Sequence, residues 1–314
     1  MIKVGIGLFW GGMEPGDLVT VAQAADGLGY ESVWIWEHLV YPKVIRSKYP
    51  YAPDGTPPFA DDRTLDPWVT LGHIAAATRN IRLGTNIYIL PLRNPFITAR
   101  SVLTVDILSQ GRVILGAGVG WLEEEYQLLG ENFHNRGRRV DEIVAVLKAL
   151  WTQPEPEFHG RFYDFGPVRF EPKPVQKPHP PIVFGGESDA AMQRAARLGD
   201  GWISSGALET PDSAAAKVAK LLAYRRQAGR DAEPFDITMV GGAWLEPGEL
   251  AQFERAGVSR ILMAPWFAPQ TAQAMAAEGT ARAWSRERLG GGPVLDNILN
   301  GLQQYAHRVL SKQG

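Results

Sequence analysis

An acidic residue precedes a histidine at the end of an apolar run, where residues 32–36 lead into Glu37 and His38. Imidazole titrates closest to neutral pH among the side chains, so a positioned histidine can accept or donate a proton during a reaction. A neighbouring carboxylate can orient the ring or tune its basicity. His38 could equally serve structure alone, by capping the strand or packing. The long irregular segment that follows the pair favours a functional interpretation.

Glycines follow two other apolar runs, at Gly116, Gly118 and Gly120 and at Gly185-Gly186. A glycine-rich turn at a helix N-terminus exposes backbone N–H groups that suit a phosphate. The spacing G-x-G-x-G departs from the G-x-G-x-x-G of dinucleotide-binding folds, and it occurs late in the chain. Glycines are also common at strand ends for steric reasons. Both interpretations therefore stay open for these positions.

Two further segments could contact a ligand. Gly84 lies inside the apolar run 81–89, where a glycine marks either a close ligand approach or a loose strand end. Arg136 and Arg138 belong to a charged cluster at residues 133–142 that begins a helical pattern. They could bind an anionic group through charge-assisted hydrogen bonds, or they could simply be solvated.

Composition excludes several classes of function. The sequence has no cysteine, which rules out disulfides, thiolate metal sites and a cysteine nucleophile. It has neither H-x-x-x-H nor G-x-S-x-G, so we predict no metal site and no hydrolase nucleophile. With 32 basic and 34 acidic residues the net charge is −2, which gives no reason to expect nucleic acid or a membrane as partner. We see no signal peptide and no apolar run of ~18–20 residues, and expect a cytoplasmic protein.

Strand and helix patterns alternate along the chain, and this order would bring the candidate residues to one edge of a sheet. Eight short apolar runs indicate strands at residues 3–9, 32–36, 81–89, 112–116, 181–184, 201–204, 235–240 and 259–263. Amphipathic helical patterns lie between them. Such alternation predicts a parallel sheet, and eight repeats favour an α/β (β/α)8 TIM barrel over an open doubly wound sheet. In a barrel the carboxyl ends of the strands build the active site.

Three irregular segments interrupt this order. We predict one domain over residues 1–314, with insertions at about 41–66, 155–179 and 268–293. Long irregular loops in a compact domain usually act as functional lids or are disordered. The second insertion indicates a short hairpin, residues 158–162 and 168–170, before a proline-rich connector.

Taken in order, several motifs resemble the luciferase-like monooxygenase family, and in particular its branch that uses the deazaflavin coenzyme F420. The likeness extends from Lys3 to about Ser204 and is thin beyond. The matching motifs are Trp36-Glu37-His38, Gly84-Thr85-Asn86, Arg93-Asn94-Pro95, Leu108-Ser109-Gln110-Gly111-Arg112, Leu115-Gly116-Ala117-Gly118-Val119-Gly120-Trp121, Arg136-Gly137-Arg138-Arg139-Val140-Asp141-Glu142, Pro180-Pro181-Ile182 with Gly185-Gly186, and Arg197-Leu198-Gly199-Asp200-Gly201-Trp202. As an ordered set these motifs are specific to the family, but they distinguish its F420-dependent members from its FMN-dependent members less well.

The resemblance implies a luciferase-like TIM barrel with the cofactor at its carboxyl-terminal mouth. F420-dependent relatives carry a non-prolyl cis peptide in the third strand, behind the flat ring, and the match places it between Asn86 and Ile87. The implied cofactor-binding residues are Gly84, Thr85, Asn86, Ile87, Gly116, Ala117, Gly118, Gly120, Arg136, Arg138, Gly185 and Gly186. The sugar-phosphate dehydrogenases of this branch have a glutamate where this chain has Val119, which argues against a sugar-phosphate substrate.

The function implied is hydride transfer between F420 and an organic small molecule, with His38, tuned by Glu37, as proton donor or acceptor. The predicted substrate pocket is aromatic and comprises Trp36, Tyr41, Tyr49, Tyr51 and Trp121. An FMN-dependent two-component monooxygenase, supplied by a separate reductase, is the first alternative. A catalytically silent flavin-binding barrel is the second. The family likeness also suggests a homodimer.

Overall fold

The chain folds into a closed parallel β-barrel, as predicted. This computed structural model describes residues 1–8, 13–52, 54–55, 64–204, 209–242, 244–267 and 294–312. The barrel strands are β1 Lys3–Gly7, β2 Ser32–Ile35, β3 Arg82–Thr85 with β4 Tyr88–Ile89, β5 Val113–Gly118, β8 Ile182–Gly185, β9 Gly201–Ile203, β10 Asp236–Gly242 and β11 Arg260–Met263. Neighbouring strands pair in parallel, and the pairing of β3 with β5 closes the sheet into eight strand positions.

Helices cover the outside of the barrel. They are α1 Leu18–Gly27, α2 Pro67–Ala77, α3 Pro95–Leu108, α4 Glu123–Leu128, α5 Arg136–Thr152, α6 Asp189–Leu198, α7 Pro211–Gln227, α8 Pro247–Arg255 and α9 Val294–Arg308. Side chains at the N-caps, such as Asp66 and Asn94, accept hydrogen bonds from the first backbone N–H groups and so fix where helices begin. Within the described ranges, no helix has the length and apolar character needed to cross a membrane.

The barrel interior is packed around the indole of Trp34. This side chain lies among Ile114, Val183, Ile203 and Leu262. Its Nε1–H donates to Ser32 Oγ at 2.8 Å. A Cβ on residue 84 would overlap the indole, so Gly84 provides the room that Trp34 needs.

The third strand is interrupted, which the apolar run 81–89 does not reveal. β3 ends at Thr85 and β4 begins at Tyr88, and between them the Asn86–Ile87 peptide bond is cis, as the resemblance predicts. The Asn86 N–H still donates to the Ile35 carbonyl at 2.6 Å. Asn86 and Ile87 are half-buried, whereas Thr85 is fully buried. These two residues are therefore the accessible part of the third strand at the mouth.

The second insertion forms the predicted hairpin with a different second strand. β6 Phe158–His159 pairs antiparallel with β7 Asp164–Phe165, so the prediction of a strand at 168–170 is wrong. The Glu142 carboxylate on α5 accepts hydrogen bonds from the N–H groups of Arg161, Phe162 and Tyr163 at 3.1, 2.7 and 3.3 Å, which fixes the turn just before Asp164. The predicted insertion at 268–293 lies outside the described residues.

Candidate active site

His38 lies just beyond the carboxyl end of β2 and is paired with a carboxylate. Its Nδ1 is 2.8 Å from Glu125 Oε2, and both side chains are almost fully buried. The other oxygen of Glu125 accepts the N–H of Leu39 at 2.7 Å and that of Val40 at 3.4 Å. One carboxylate on α4 thus holds both the imidazole and the backbone that follows it.

Glu37 has different partners, so the prediction that it tunes His38 is corrected. Its carboxylate accepts two hydrogen bonds from the Arg93 guanidinium, and Oε1 also accepts the Ile89 N–H at 2.5 Å. Burial raises the pKa of Glu37 to about 7, although the Arg93 cation and the Ile89 N–H both act to lower it. Since Ile89 belongs to β4, Glu37 ties β2 to the segment beyond the cis bond.

The five predicted pocket aromatics form one cluster with His38. The His38 ring centroid is 6.0 Å from that of Trp36, 4.5 Å from that of Tyr41 and 5.9 Å from that of Trp121. Tyr49 continues the cluster at 5.2 Å from Trp121 and 5.3 Å from Tyr51. Most of these pairs are edge-to-face, an arrangement that aromatic quadrupoles favour. The result is an apolar wall beside a titratable side chain.

The first insertion is attached to α4 by a second glutamate. Glu124 Oε1 accepts the N–H of Arg46 at 2.6 Å and that of Ser47 at 3.0 Å, and Oε2 accepts the Ser47 hydroxyl at 2.7 Å. Burial would raise the pKa of Glu124, but these hydrogen bonds lower it to about 2. The carboxylate is therefore charged at all ordinary pH values and holds the segment that carries Tyr41, Tyr49 and Tyr51.

Asn86 and Ile87 are the half-buried residues between β3 and β4, and Ile87 lies against glycines of two other barrel strands. A Cβ on Gly118 would overlap Ile87 Cδ1, and one on Gly185 would lie 2.6 Å from Ile87 Cγ2. These two glycines, on β5 and β8, therefore make the space that the Ile87 side chain fills.

The segment Gly116 to Gly120 is not the phosphate-binding turn that its spacing suggests. Gly116, Ala117 and Gly118 are buried within β5, where they pair with β8 and β4. A Cβ on Gly116 would overlap the Thr85 carbonyl oxygen, so that glycine permits close strand packing. The helix that follows, α4, begins with three consecutive glutamates, whose charge opposes an anion. Only Gly120, with φ +67°, lies in the turn itself.

Gly185 and Gly186 lie where β8 leaves the barrel for α6. Gly186 has φ +112°, and its carbonyl accepts the Trp202 indole N–H at 2.8 Å. A Cβ there would come within 3.5 Å of the Tyr51 hydroxyl, so the first insertion reaches across to this strand end. α6 then begins at the N-cap Ser188, so a helix N-terminus lies behind this predicted anion site. The acidic residues on either side of the N-cap are ion-paired with lysines, Glu187 with Lys217 at 2.5 Å and Asp189 with Lys220.

The predicted arginines have unequal surroundings. Arg136 lies 3.6 Å over the Phe133 ring and donates to the Phe133 carbonyl. Arg139 is buried and donates to Glu131 and to the Pro91 carbonyl. Arg138 is exposed on the first turn of α5. Of the three, Arg138 is exposed, Arg136 is half-buried and Arg139 is buried.

Sequence reasoning missed Glu125 and Arg93 as contributors to the site. Glu125 lies four residues after Trp121, and the run of three glutamates just beyond this predicted pocket residue was a signal for an acidic group in the site. Arg93 belongs to the motif Arg93-Asn94-Pro95, but nothing in the sequence pairs it with Glu37, 56 positions earlier.

Two curated relatives place the chain among known proteins. An uncharacterised protein of Mycobacterium tuberculosis is 34% identical over 246 residues, covering 78% of this chain and 83% of that protein. The FMNH(2)-dependent dimethylsulfone monooxygenase of Pseudomonas putida is 36% identical over 142 residues, covering 44% of this chain and 39% of that protein.

Solved structures share the fold. A monooxygenase, RslO1 from Streptomyces bottropensis, superposes with a TM-score of 0.70 at 21% identity, with all of both chains covered. An F420-dependent secondary alcohol dehydrogenase in complex with an F420–acetone adduct has a TM-score of 0.67 at 18% identity, covering 83% of this chain and 92% of that one.

The family profile described as luciferase-like monooxygenase matches residues 3–295. This match agrees with the family that the motifs resemble and with the closed barrel. The chain therefore belongs to the luciferase-like monooxygenase family and is an oxidoreductase.

Proposed function

We propose that this protein transfers a hydride between coenzyme F420 and an organic small molecule, with His38 as proton donor or acceptor. The observation that carries the proposal is the buried pair of His38 and Glu125, 2.8 Å apart beside an aromatic wall. When a hydride leaves an alcohol carbon, the hydroxyl proton must pass to a base, and the reverse reaction needs an acid. An imidazole can serve in both directions near neutral pH.

The residues at the mouth fit a flat ring. Asn86 and Ile87 are half-buried, and the Ile87 side chain fills the space that Gly118 and Gly185 leave. β2 pairs with β3 up to Ile35 opposite Thr85, so Asn86 and His38 both follow the paired ends of neighbouring strands. When bound, a deazaflavin supplies a ring carbon that gives or takes a hydride. We propose that Asn86 and Ile87 support the ring.

The anionic part of the cofactor would bind along the β8–α6 connection and the start of α5. F420 carries a phosphate and a carboxylate tail, which need donors and positive charge. Gly185, Gly186 and the α6 N-terminus would meet the phosphate. α5 and α6 are joined by the ion pair of Arg194 with Asp141 at 2.6 Å, and the exposed Arg138 precedes Asp141 on α5. It would meet the tail through its charge.

FMN-dependent monooxygenation is the second candidate. It is favoured by the 36% identity to the dimethylsulfone monooxygenase, whose name states dependence on FMNH(2). Such an activity would need reduced FMN from a separate reductase, and it would consume oxygen. The same barrel mouth could hold either ring. A barrel that binds flavin without turnover is the remaining alternative.

An oxygen-dependence assay separates these functions. The protein is incubated with reduced F420, or with FMN and a flavin reductase, and a panel of ketones and aldehydes, with and without oxygen. We expect F420 oxidation and alcohol product without oxygen. Product formed only with FMN and oxygen would overturn the proposal in favour of the monooxygenase. Cofactor binding without any product from the panel would favour the silent barrel.

A further inference from the structure

We infer that Glu125 is a positioning residue that fixes His38 in the tautomer with hydrogen on Nδ1, so that Nε2 is the nitrogen that exchanges protons. The use of that nitrogen in catalysis rests on the proposed function. The tautomer itself does not, because the contacts that fix it lie within the protein.

The first step is the hydrogen bonding of the carboxylate. Glu125 Oε1 accepts two backbone N–H groups, from Leu39 and Val40. Backbone N–H groups can only donate, so Oε1 is an acceptor toward both and carries no hydrogen. A carboxylate that accepts at both oxygens satisfies all the donors that converge on it. In this arrangement Oε2 accepts from His38 Nδ1, 2.8 Å away, and Nδ1 carries the hydrogen.

The second step is the enclosure of the pair. The His38 and Glu125 side chains are 4% and 1% exposed. In such surroundings water competes little for the Nδ1–H bond, and a charge-assisted hydrogen bond is stronger than in solvent. Glu125 is also on a helix rather than a loop, so its position is fixed by packing. The neutral imidazole then has its lone pair on Nε2.

The third step excludes the neighbouring carboxylate from this role. Glu37 precedes His38 in the chain, yet it binds Arg93 and the Ile89 N–H. Both of its oxygens are committed to these groups. When a proton arrives on Nε2, the imidazolium is stabilised by the Glu125 charge, and the Nδ1–H bond stays intact throughout.

The test is the tautomer of His38 in the whole protein, read from the ring ¹⁵N shifts by ¹H–¹⁵N correlation of histidine-labelled protein. The His38 signals are assigned by their loss in His38→Gln. We expect a protonated Nδ1 and an unprotonated Nε2 in the neutral ring of the wild type. A wild type with hydrogen on Nε2 would overturn the inference. The tautomer is read in the wild type, and only the assignment of its signals uses a variant.

Glu125→Gln tests the role of the charge, with Glu123→Gln as the matched control. The amide introduced by Glu125→Gln presents one acceptor oxygen where three donors converge, so we expect the Nε2–H tautomer to appear. Glu123 is on the same helix, and its carboxylate lies 3.7 Å from the exposed His134. Its replacement should leave the His38 shifts unchanged. Wild-type shifts in Glu125→Gln would contradict the inference.

Turnover provides the second readout. If the proposed function holds, Glu125→Gln should lower kcat by about 10²–10⁴-fold, the range for a lost acid–base group, with little change in KM. A changed tautomer with full turnover in both Glu125→Gln and His38→Gln would refute the proposed use of His38. It would leave the tautomer assignment standing, so the two failures are distinguishable.

Discussion

His38 is the residue whose removal should cost the reaction most. Proton transfer by a positioned side chain is worth about 10²–10⁴-fold in rate. We expect His38→Ala to lower kcat by that factor while the cofactor dissociation constant changes far less, because the proposed contacts of the ring are with Asn86 and Ile87. His134→Ala, at a largely exposed histidine, is the control. Steady-state kinetics and cofactor titration measure both quantities, and unchanged turnover in His38→Ala would assign the histidine to structure.

Removing the Arg93 cation should cause a loss of stability that depends on pH. Arg93→Met leaves the buried Glu37 carboxyl without its cation, and breaking a buried pair costs about 3–5 kcal/mol. Burial already raises the pKa of Glu37 to about 7 with Arg93 present. Because the folded-state pKa of Glu37 lies above the unfolded value of about 4.3, the stability that its protonated form contributes is fully present below about pH 4.3. It is then lost as the pH rises through the folded-state value.

Urea unfolding at several pH values measures this effect. We expect the stability deficit of Arg93→Met to be small near about pH 5 and largest above about pH 8, following the raised pKa of Glu37. Arg93→Lys keeps a cation and should show a smaller dependence. A deficit that stays constant across the range would show that protonation of Glu37 does not relieve the loss.

Helix α4 should control the order of the first insertion through Glu124. Glu124→Gln removes the charge that accepts three hydrogen bonds from Arg46 and Ser47. Hydrogen bonds hold the pKa of Glu124 at about 2, so this stabilisation is full above about pH 4.5 and is lost only as the pH falls through about 2.

Hydrogen exchange near neutral pH should therefore show faster exchange over residues 39–49 in Glu124→Gln. KM for the substrate should rise because Tyr41 and Tyr49 are held less firmly. Glu123→Gln is again the matched control on the same helix. Exchange that is equal in all three proteins would mean that the aromatic cluster alone orders the insertion.

The close contact between β5 and the Ile87 side chain leads to a prediction about cofactor affinity. Gly118→Ala places a Cβ where Ile87 Cδ1 lies, so Ile87 must move. Overpacking of this kind costs about 1–3 kcal/mol. We expect weaker F420 binding, partly restored by adding Ile87→Val, which removes that Cδ1. Gly166→Ala, with nothing within 4 Å of its Cβ, should bind normally. Wild-type affinity in Gly118→Ala would contradict the proposal that Asn86 and Ile87 support the cofactor ring.

The elements were predictable to different degrees. Short apolar runs between amphipathic patterns predict the barrel strands because both faces of a parallel strand are buried. The same runs cannot show the break between Thr85 and Tyr88, because hydrophobicity does not record peptide geometry. The hairpin strand at Asp164–Phe165 also escaped prediction, since a two-residue strand has no period to detect.

The site was predictable in composition and less so in pairing. The wall of Trp36, Tyr41, Tyr49, Tyr51 and Trp121 was assembled from loop residues at strand ends, and the fold brings them together. The partner of His38 was not predictable, because Glu125 is 87 positions away and adjacency in sequence pointed to Glu37. The glycine spacing predicted a phosphate site at Gly116 and Gly118, but at these positions the lack of a side chain permits close packing of the strands.

On the scale of the whole molecule, the exposed Arg138 should distinguish the two cofactors. F420 has a longer anionic tail than FMN, so only its binding should use a charge beyond the phosphate. Attraction between exposed charges is screened over ~8–10 Å at moderate salt. We expect F420 binding to weaken more steeply with salt than FMN binding. Arg138→Ala should weaken F420 binding alone, and equal losses for both cofactors would contradict the proposed tail path.

Parallel titration of the whole protein with F420 and with FMN, read by fluorescence quenching at low salt, tests the central claim most directly. If the protein uses F420 for hydride transfer, we expect it to bind F420 in preference to FMN, because the F420 tail adds negative charge beyond the phosphate. The predicted result is saturable quenching of F420 at lower concentration than FMN. Tight FMN binding with no detectable F420 binding would contradict the claim and assign the barrel to flavin chemistry.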